Sequence, residues 1–134
     1  MITKEIIQTN IVVLNKQQNF FKAFVHAWRG IQHFFLHDRN GRIHLGAAIA
    51  TILAGFVFKV SNIELLLLLM CIALVIAFEM INAAIEKLCD VVHKDFHPTI
   101  KAIKDVSAGA VLWVSVISAI VAVIIFFPKI IELL

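Results

Sequence analysis

EMINAAIEKLCD, Glu79 to Asp90, follows directly on the apolar stretch Ile63 to Phe78, and this junction decides the fold. The stretch is close to the roughly 17–25 residues with which a helix crosses a hydrocarbon core. At about 100° per helical residue, Glu79, Asn82, Glu86 and Asp90 fall within an arc of roughly 80°. A membrane-spanning helix therefore ends in a single polar stripe. A carboxylate at membrane depth costs at least about 2–3 kcal/mol, so such residues face a bundle interior or a water-filled site and usually have a task there. The plainer reading of the stripe is a polar clamp between helices or a snorkelling helix end.

Two further apolar stretches flank this one, Ile43 to Phe58 and Ala108 to Phe127. Across 134 residues the chain is 61% hydrophobic and 16% charged, against about 45–50% and about 25% in soluble domains. An all-α membrane protein with three transmembrane helices is expected. The few glycines and two prolines mark no flexible linker, so residues 1–18 read as an N-terminal arm and residues 19–134 as one integral-membrane domain. Ahead of the first span, FFKAFVHAWRGIQHFFLHD (20–38) repeats Phe20, Phe21, Phe24, Trp28, Ile31, Phe34 and Phe35 at three- and four-residue intervals. That pattern predicts an amphipathic helix lying along the membrane surface.

Charge gives the orientation. Six of the twelve Lys and Arg precede the first span and four (Lys87, Lys94, Lys101, Lys104) lie between the second and third, leaving only Lys59 and Lys129 for the other side. By the positive-inside rule the N-terminus and second loop are cytoplasmic and the C-terminus is opposite, as in a bacterial inner-membrane protein. The net charge of +3 suits anionic lipid rather than nucleic acid. Residues 1–18 contain no continuous apolar segment of the signal-peptide kind. Neither GxxxxGK[ST] nor GxGxxG occurs, so a P-loop or Rossmann nucleotide site is not expected. Cys71 and Cys89 lack metal-ligand spacing and read as inert helix residues.

The topology gathers further polar residues at the cytoplasmic boundary: Asp38 before the first span, and Lys104 with Asp105 before the third. Asp38 and Glu86 offer hard oxygens to Mg²⁺, which takes one or two carboxylates plus substrate phosphates. Lys104 and Arg42 balance phosphate charge, and Glu79, set deepest, suits a general base for a hydroxyl. A small oligomeric proton-coupled transporter or channel also places a carboxylate in a span, but gives no reason for Asp38, Glu86, Lys104 and Asp105 to share one interface. Of the histidines, His97 alone is assigned a site role. His26, His33, His37, His44 and His93 read as interfacial surface residues.

The stretches RIHLGAA (42–48), EMINAAIEKLCDVV (79–92) and FHPTIKAIKDVSAGAVL (96–112) resemble the prokaryotic diacylglycerol kinase family, small integral-membrane lipid kinases that include undecaprenol kinases. The resemblance runs from about Phe20 to Phe127 and rests on E-x-x-N-x-x-x-E-x-x-x-D followed by K-D before the next span. It implies an ATP-dependent kinase that phosphorylates a lipid hydroxyl, diacylglycerol or undecaprenol, in a homotrimer with active sites shared between subunits. By the same resemblance, Glu79 is the catalytic base with Asn82 beside it, and Asp38 and Glu86 hold the metal. Asp90, Asp95, His97, Lys104 and Asp105 join Asp38 and Glu86 in the ATP site, and Trp28 and Arg42 join Glu79 near the lipid. Two positions depart from the family pattern: Asp38 stands where Glu is more usual, and Ala83 where Ser or Thr is.

Overall fold

The computed structural model describes residues 20–132, in four helices. These are α1 (Phe20–His37), α2 (Arg39–Val57), α3 (Asn62–Val92) and α4 (Pro98–Ile131). Two compact units divide between His33 and Phe34. In the first, α1 exposes the large apolar side chains Phe21, Phe24 and Trp28. The second holds α2, α3 and α4, each long and apolar enough to cross a membrane, which agrees with the three expected spans. The arm assigned to residues 1–18 lies outside the described residues.

The helices outrun the apolar stretches that announced them. At 1.5 Å per residue, the 31 residues of α3 and the 34 of α4 measure about 46 Å and about 51 Å, against a hydrocarbon core of about 30 Å. The polar ends are thus continuous helix rather than loop. Glu79 lies 17 residues into α3, about 25 Å from its start.

Local chemistry sets each boundary. Asp38 caps α2, accepting from the amides of Asn40 at 3.0 Å and Gly41 at 3.3 Å. Ser61 and Glu64 form a reciprocal capping box at the start of α3, so the one acidic residue within the second apolar stretch belongs to a helix terminus. There Glu64 also meets Lys129 of α4 at 3.2 Å. His97 caps α4, its Nδ1 accepting from the Thr99 amide at 3.2 Å, with Pro98 following at the first helical position.

Packing is narrow and periodic. α3 packs on both α2 and α4, more extensively on α4. α2 buries Gly41, Ala48 and Gly55, seven residues apart, and α3 buries Leu68, Glu79, Asn82, Ala83 and Cys89. Small residues on α2 let the backbones approach closely. Most large apolar side chains are exposed, as suits helices solvated by lipid.

Candidate active site

Glu79 and Asn82 are the buried polar residues among those described, each about 5% exposed, on an otherwise apolar helix face. The rows that bury Leu68 and line the neighbouring cavity with Ile72 and Val75 continue at three- and four-residue steps into Glu79 and Asn82. The buried half of the polar stripe, Glu79 and Asn82, therefore continues the packing seam, while Glu86 and Asp90 are exposed.

Each buried group has a specific partner. Glu79 Oε1 lies 2.9 Å from Nε2 of His44 on α2. An ionised carboxylate only accepts, so Nε2 carries the proton and donates. Asn82 bridges two elements: its Oδ1 accepts from the Ser107 hydroxyl of α4, and its Nδ2 donates to Glu86 Oε1 at 3.1 Å. Every buried side-chain nitrogen or oxygen among the described residues has a hydrogen-bond partner. Glu79 Oε2 has no hydrogen-bond partner among those residues.

Further along, charges pair across the α3/α4 junction. Lys104 of α4 donates to Asp90 Oδ1 of α3, while Lys101 and Asp105, one turn apart on α4, pair with each other. Asp95 lies in the connection between those helices, where the rings of His93 and His97 meet edge to face at 5.4 Å. Arg42 Nη1 donates to the Leu36 carbonyl at 3.0 Å. Trp28 is on α1, in the first unit.

Two clusters are thus assembled within one chain: Glu79 with His44, and Asn82 with Glu86 and Ser107. Asp90 and Lys104 stand together beyond them. Among the described residues, no three His, Cys, Asp or Glu side chains gather as a group that could hold a metal. The donor set still fits Mg²⁺, which needs few protein ligands when phosphates and water complete the shell. Glu86 is exposed and has one oxygen bonded to Asn82, and Asp38 spends one oxygen on its helix cap.

His44 corrects the sequence reading. It is not a free surface histidine but the partner of the buried carboxylate. A signal was available: His44 lies three residues after Gly41 and four before Ala48, on the small-residue face that α2 turns to its neighbours. Ser107 of α4 holds Asn82 through its hydroxyl.

A cavity of about 220 Å³ opens between α2, α3 and α4, walled by His44, Thr51, Cys71, Ser115 and Ser118 among apolar side chains. A groove of about 450 Å³ lies between α3 and α4, with Asn82 and Ser107 in an otherwise mainly apolar lining.

Known proteins share this pattern along most of the chain. Residues 25–126 match the family described as prokaryotic diacylglycerol kinase. Undecaprenol kinase of Bacillus subtilis (strain 168) is 41% identical over 115 residues, covering 86% of this chain and 94% of that protein. Diacylglycerol kinase of Synechocystis sp. is 32% identical over 117 residues, 87% of this chain and 67% of its own length. Diacylglycerol kinase of Escherichia coli (strain K12) is 29% identical over 103 residues, 77% and 81% of the two chains. The match takes in α2, α3 with its buried Glu79 and Asn82, and α4 as far as residue 126, and the chain belongs to the prokaryotic diacylglycerol kinase family.

Proposed function

We propose that the chain transfers the γ-phosphoryl group of ATP to the hydroxyl of a membrane lipid, undecaprenol or diacylglycerol, at the cytoplasmic face of the inner membrane. The observation that carries the reading is the buried Glu79, held through Oε1 by one partner and with Oε2 unpartnered among the described residues. Glu79 takes the hydroxyl proton, the lipid oxygen forms a bond to the γ-phosphorus, and the bond from that phosphorus to the bridging oxygen breaks to release ADP. Phosphoryl transfer depends on positioning and charge neutralisation, so a few polar side chains suffice without a soluble domain. The transport alternative has no support from the family or its relatives.

Roles for the remaining residues follow from their chemistry. Asn82, fixed by Ser107 and Glu86, has its amide spoken for on both sides and orients the Glu86 carboxylate. Asp38 and Glu86 would hold Mg²⁺, which would neutralise charge on the ATP phosphates. Lys104 keeps two N–H donors beyond its bond to Asp90 and offers them to phosphate, while Asp105, Asp95 and His97 border the nucleotide. Trp28, Arg42 and Glu79 are each assigned to lipid binding, α1 is assigned to the membrane surface, and the working unit is a homotrimer. The lipid enters sideways from the bilayer, so its hydroxyl need not leave the interface.

The test is a radiolabelled-phosphate assay on purified protein in micelles, with undecaprenol and diacylglycerol in competition. Label passing from ATP to either lipid is the expected result, and the preferred acceptor is read directly. Absence of transfer to both, with the protein intact and magnesium present, overturns the proposal.

A further inference from the structure

To take the hydroxyl proton, Glu79 needs its carboxylate held in one orientation. Such a group at membrane depth, buried to about 5% exposure, would otherwise choose among rotamers. Its hydrogen-bond partner among the described residues is His44 Nε2, at 2.9 Å across the α2/α3 interface. Nδ1 of His44 has no partner among those residues, and the His44 side chain is 24% exposed, bordering the cavity between the three helices.

We propose that His44 is the positioning residue of the base: a neutral imidazole donates Nε2–H to Oε1 of Glu79 and so reserves Oε2 for the lipid hydroxyl. This rests on the reading of Glu79 as the base. Because Nε2 already bears its hydrogen, it does not compete for the incoming proton. The same N–H bonds Oε1 whether the carboxyl is ionised or protonated, so the contact survives the whole proton transfer. The packing explains why the pair forms here. Gly41, Ala48 and Gly55 bring α2 close to its neighbours on the face that carries His44, and Thr51, one residue type larger, lines the cavity beyond it.

The test uses full-length protein in micelles and the variants His44→Ala, His44→Gln and Glu79→Gln. The glutamine amide places an N–H near the position of Nε2 but does not titrate. His44→Ala is expected to lower kcat about tenfold to a hundredfold, with KM for ATP and for lipid within about twofold, because only transition-state geometry is lost. His44→Gln is expected to recover most of that loss, and His44→Ala combined with Glu79→Gln to be no slower than Glu79→Gln alone. Equal losses in His44→Ala and His44→Gln overturn the proposal, as does full activity of His44→Ala. If His44→Ala fails to assemble, infrared difference spectra of His44→Gln decide: a Glu79 carboxylate band unchanged from the parent supports hydrogen-bond donation at this position, and a band shifted to that of a free carboxylate overturns it. Glu79→Gln separates the two readings. Its inactivity beside a fully active His44→Ala defeats only the His44 assignment, whereas an active Glu79→Gln defeats the base itself.

Discussion

Glu79 and Glu86 lie two turns apart on one helix, yet their surroundings give them different work. Glu79 is buried and bonded to the His44 ring, so Glu79→Gln keeps the size and loses the basicity; phosphoryl transfer is expected to fall by at least about a hundredfold while ATP binding, read by fluorescence titration, stays within about twofold. Glu86 is exposed and accepts from Asn82, so it is suited to a cation rather than a proton. Glu86→Ala is expected to weaken Mg²⁺-ATP binding about tenfold or more, measured as nucleotide affinity across a magnesium titration, and an affinity independent of magnesium would remove it from the metal site. The difference between these carboxylates was only half legible in the sequence. Helical spacing places both on one stripe, but the His44 partnership arises between helices 35 residues apart in the chain, and no local pattern near Glu79 announces it. Periodicity on α2 does place His44 on the face of Gly41 and Ala48, which identifies a buried side but not its partner.

Helix ends carry more of the site than the spans do. Hydropathy marks the apolar middle of each helix and stops where polar residues begin, so it found three spans; the helical spacing of Glu79, Asn82, Glu86 and Asp90 carried α3 on into the site, while nothing in the pattern announced that α4 begins as early as Pro98. Their ends are set by caps: Asp38 by its oxygen, Ser61 with Glu64 by reciprocal bonding, His97 by Nδ1. At the α1/α2 corner, a Cβ on Gly41 would stand 2.8 Å from the Phe34 carbonyl oxygen and 3.0 Å from its ring. Since the first of those atoms is backbone, Gly41→Ala forces the corner apart. It is expected to destabilise the protein by about 1–3 kcal/mol and, by moving Asp38, to reduce activity; a melting temperature equal to the parent's would show that the corner yields freely. At the far end of α2, Val60 N–H bonds the Gly55 carbonyl and Lys59 N–H that of Phe56, the Schellman pattern, with Lys59 at φ 48° where glycine is usual. Lys59→Gly relieves a left-handed conformation that costs roughly 1–2 kcal/mol in a residue with a Cβ, partly offset by glycine's backbone entropy. A gain of about 0.5–1 kcal/mol in thermal stability in micelles is the expected outcome, without change in kinase activity, since the turn is remote from Glu79.

Within the second unit, one chain does not enclose its own chemistry. The buried apolar residues are few and scattered along the seam, Glu86 and Asp90 are exposed on the stripe that also carries Glu79, and no group of three possible metal ligands forms among the described residues. A charged stripe left facing lipid costs a few kcal/mol per group, whereas a neighbouring subunit both covers it and supplies the missing oxygens. Small residues at Ser107, Gly109 and Ala110 permit close helix approach near the same level. In the proposed homotrimer a composite site is expected, with Glu79 and Glu86 of one subunit working beside Asp38 of another. Complementation tests this directly. Asp38→Ala and Glu79→Gln subunits, each expected to be inactive alone, are unfolded, mixed and reassembled, and kinase activity is measured against the mixing ratio. With shared sites, some interfaces in mixed oligomers join an intact Asp38 to an intact Glu79, so activity returns and peaks near equal proportions. With each site confined to one chain, every site carries one of the two lesions, and mixing restores nothing at any ratio.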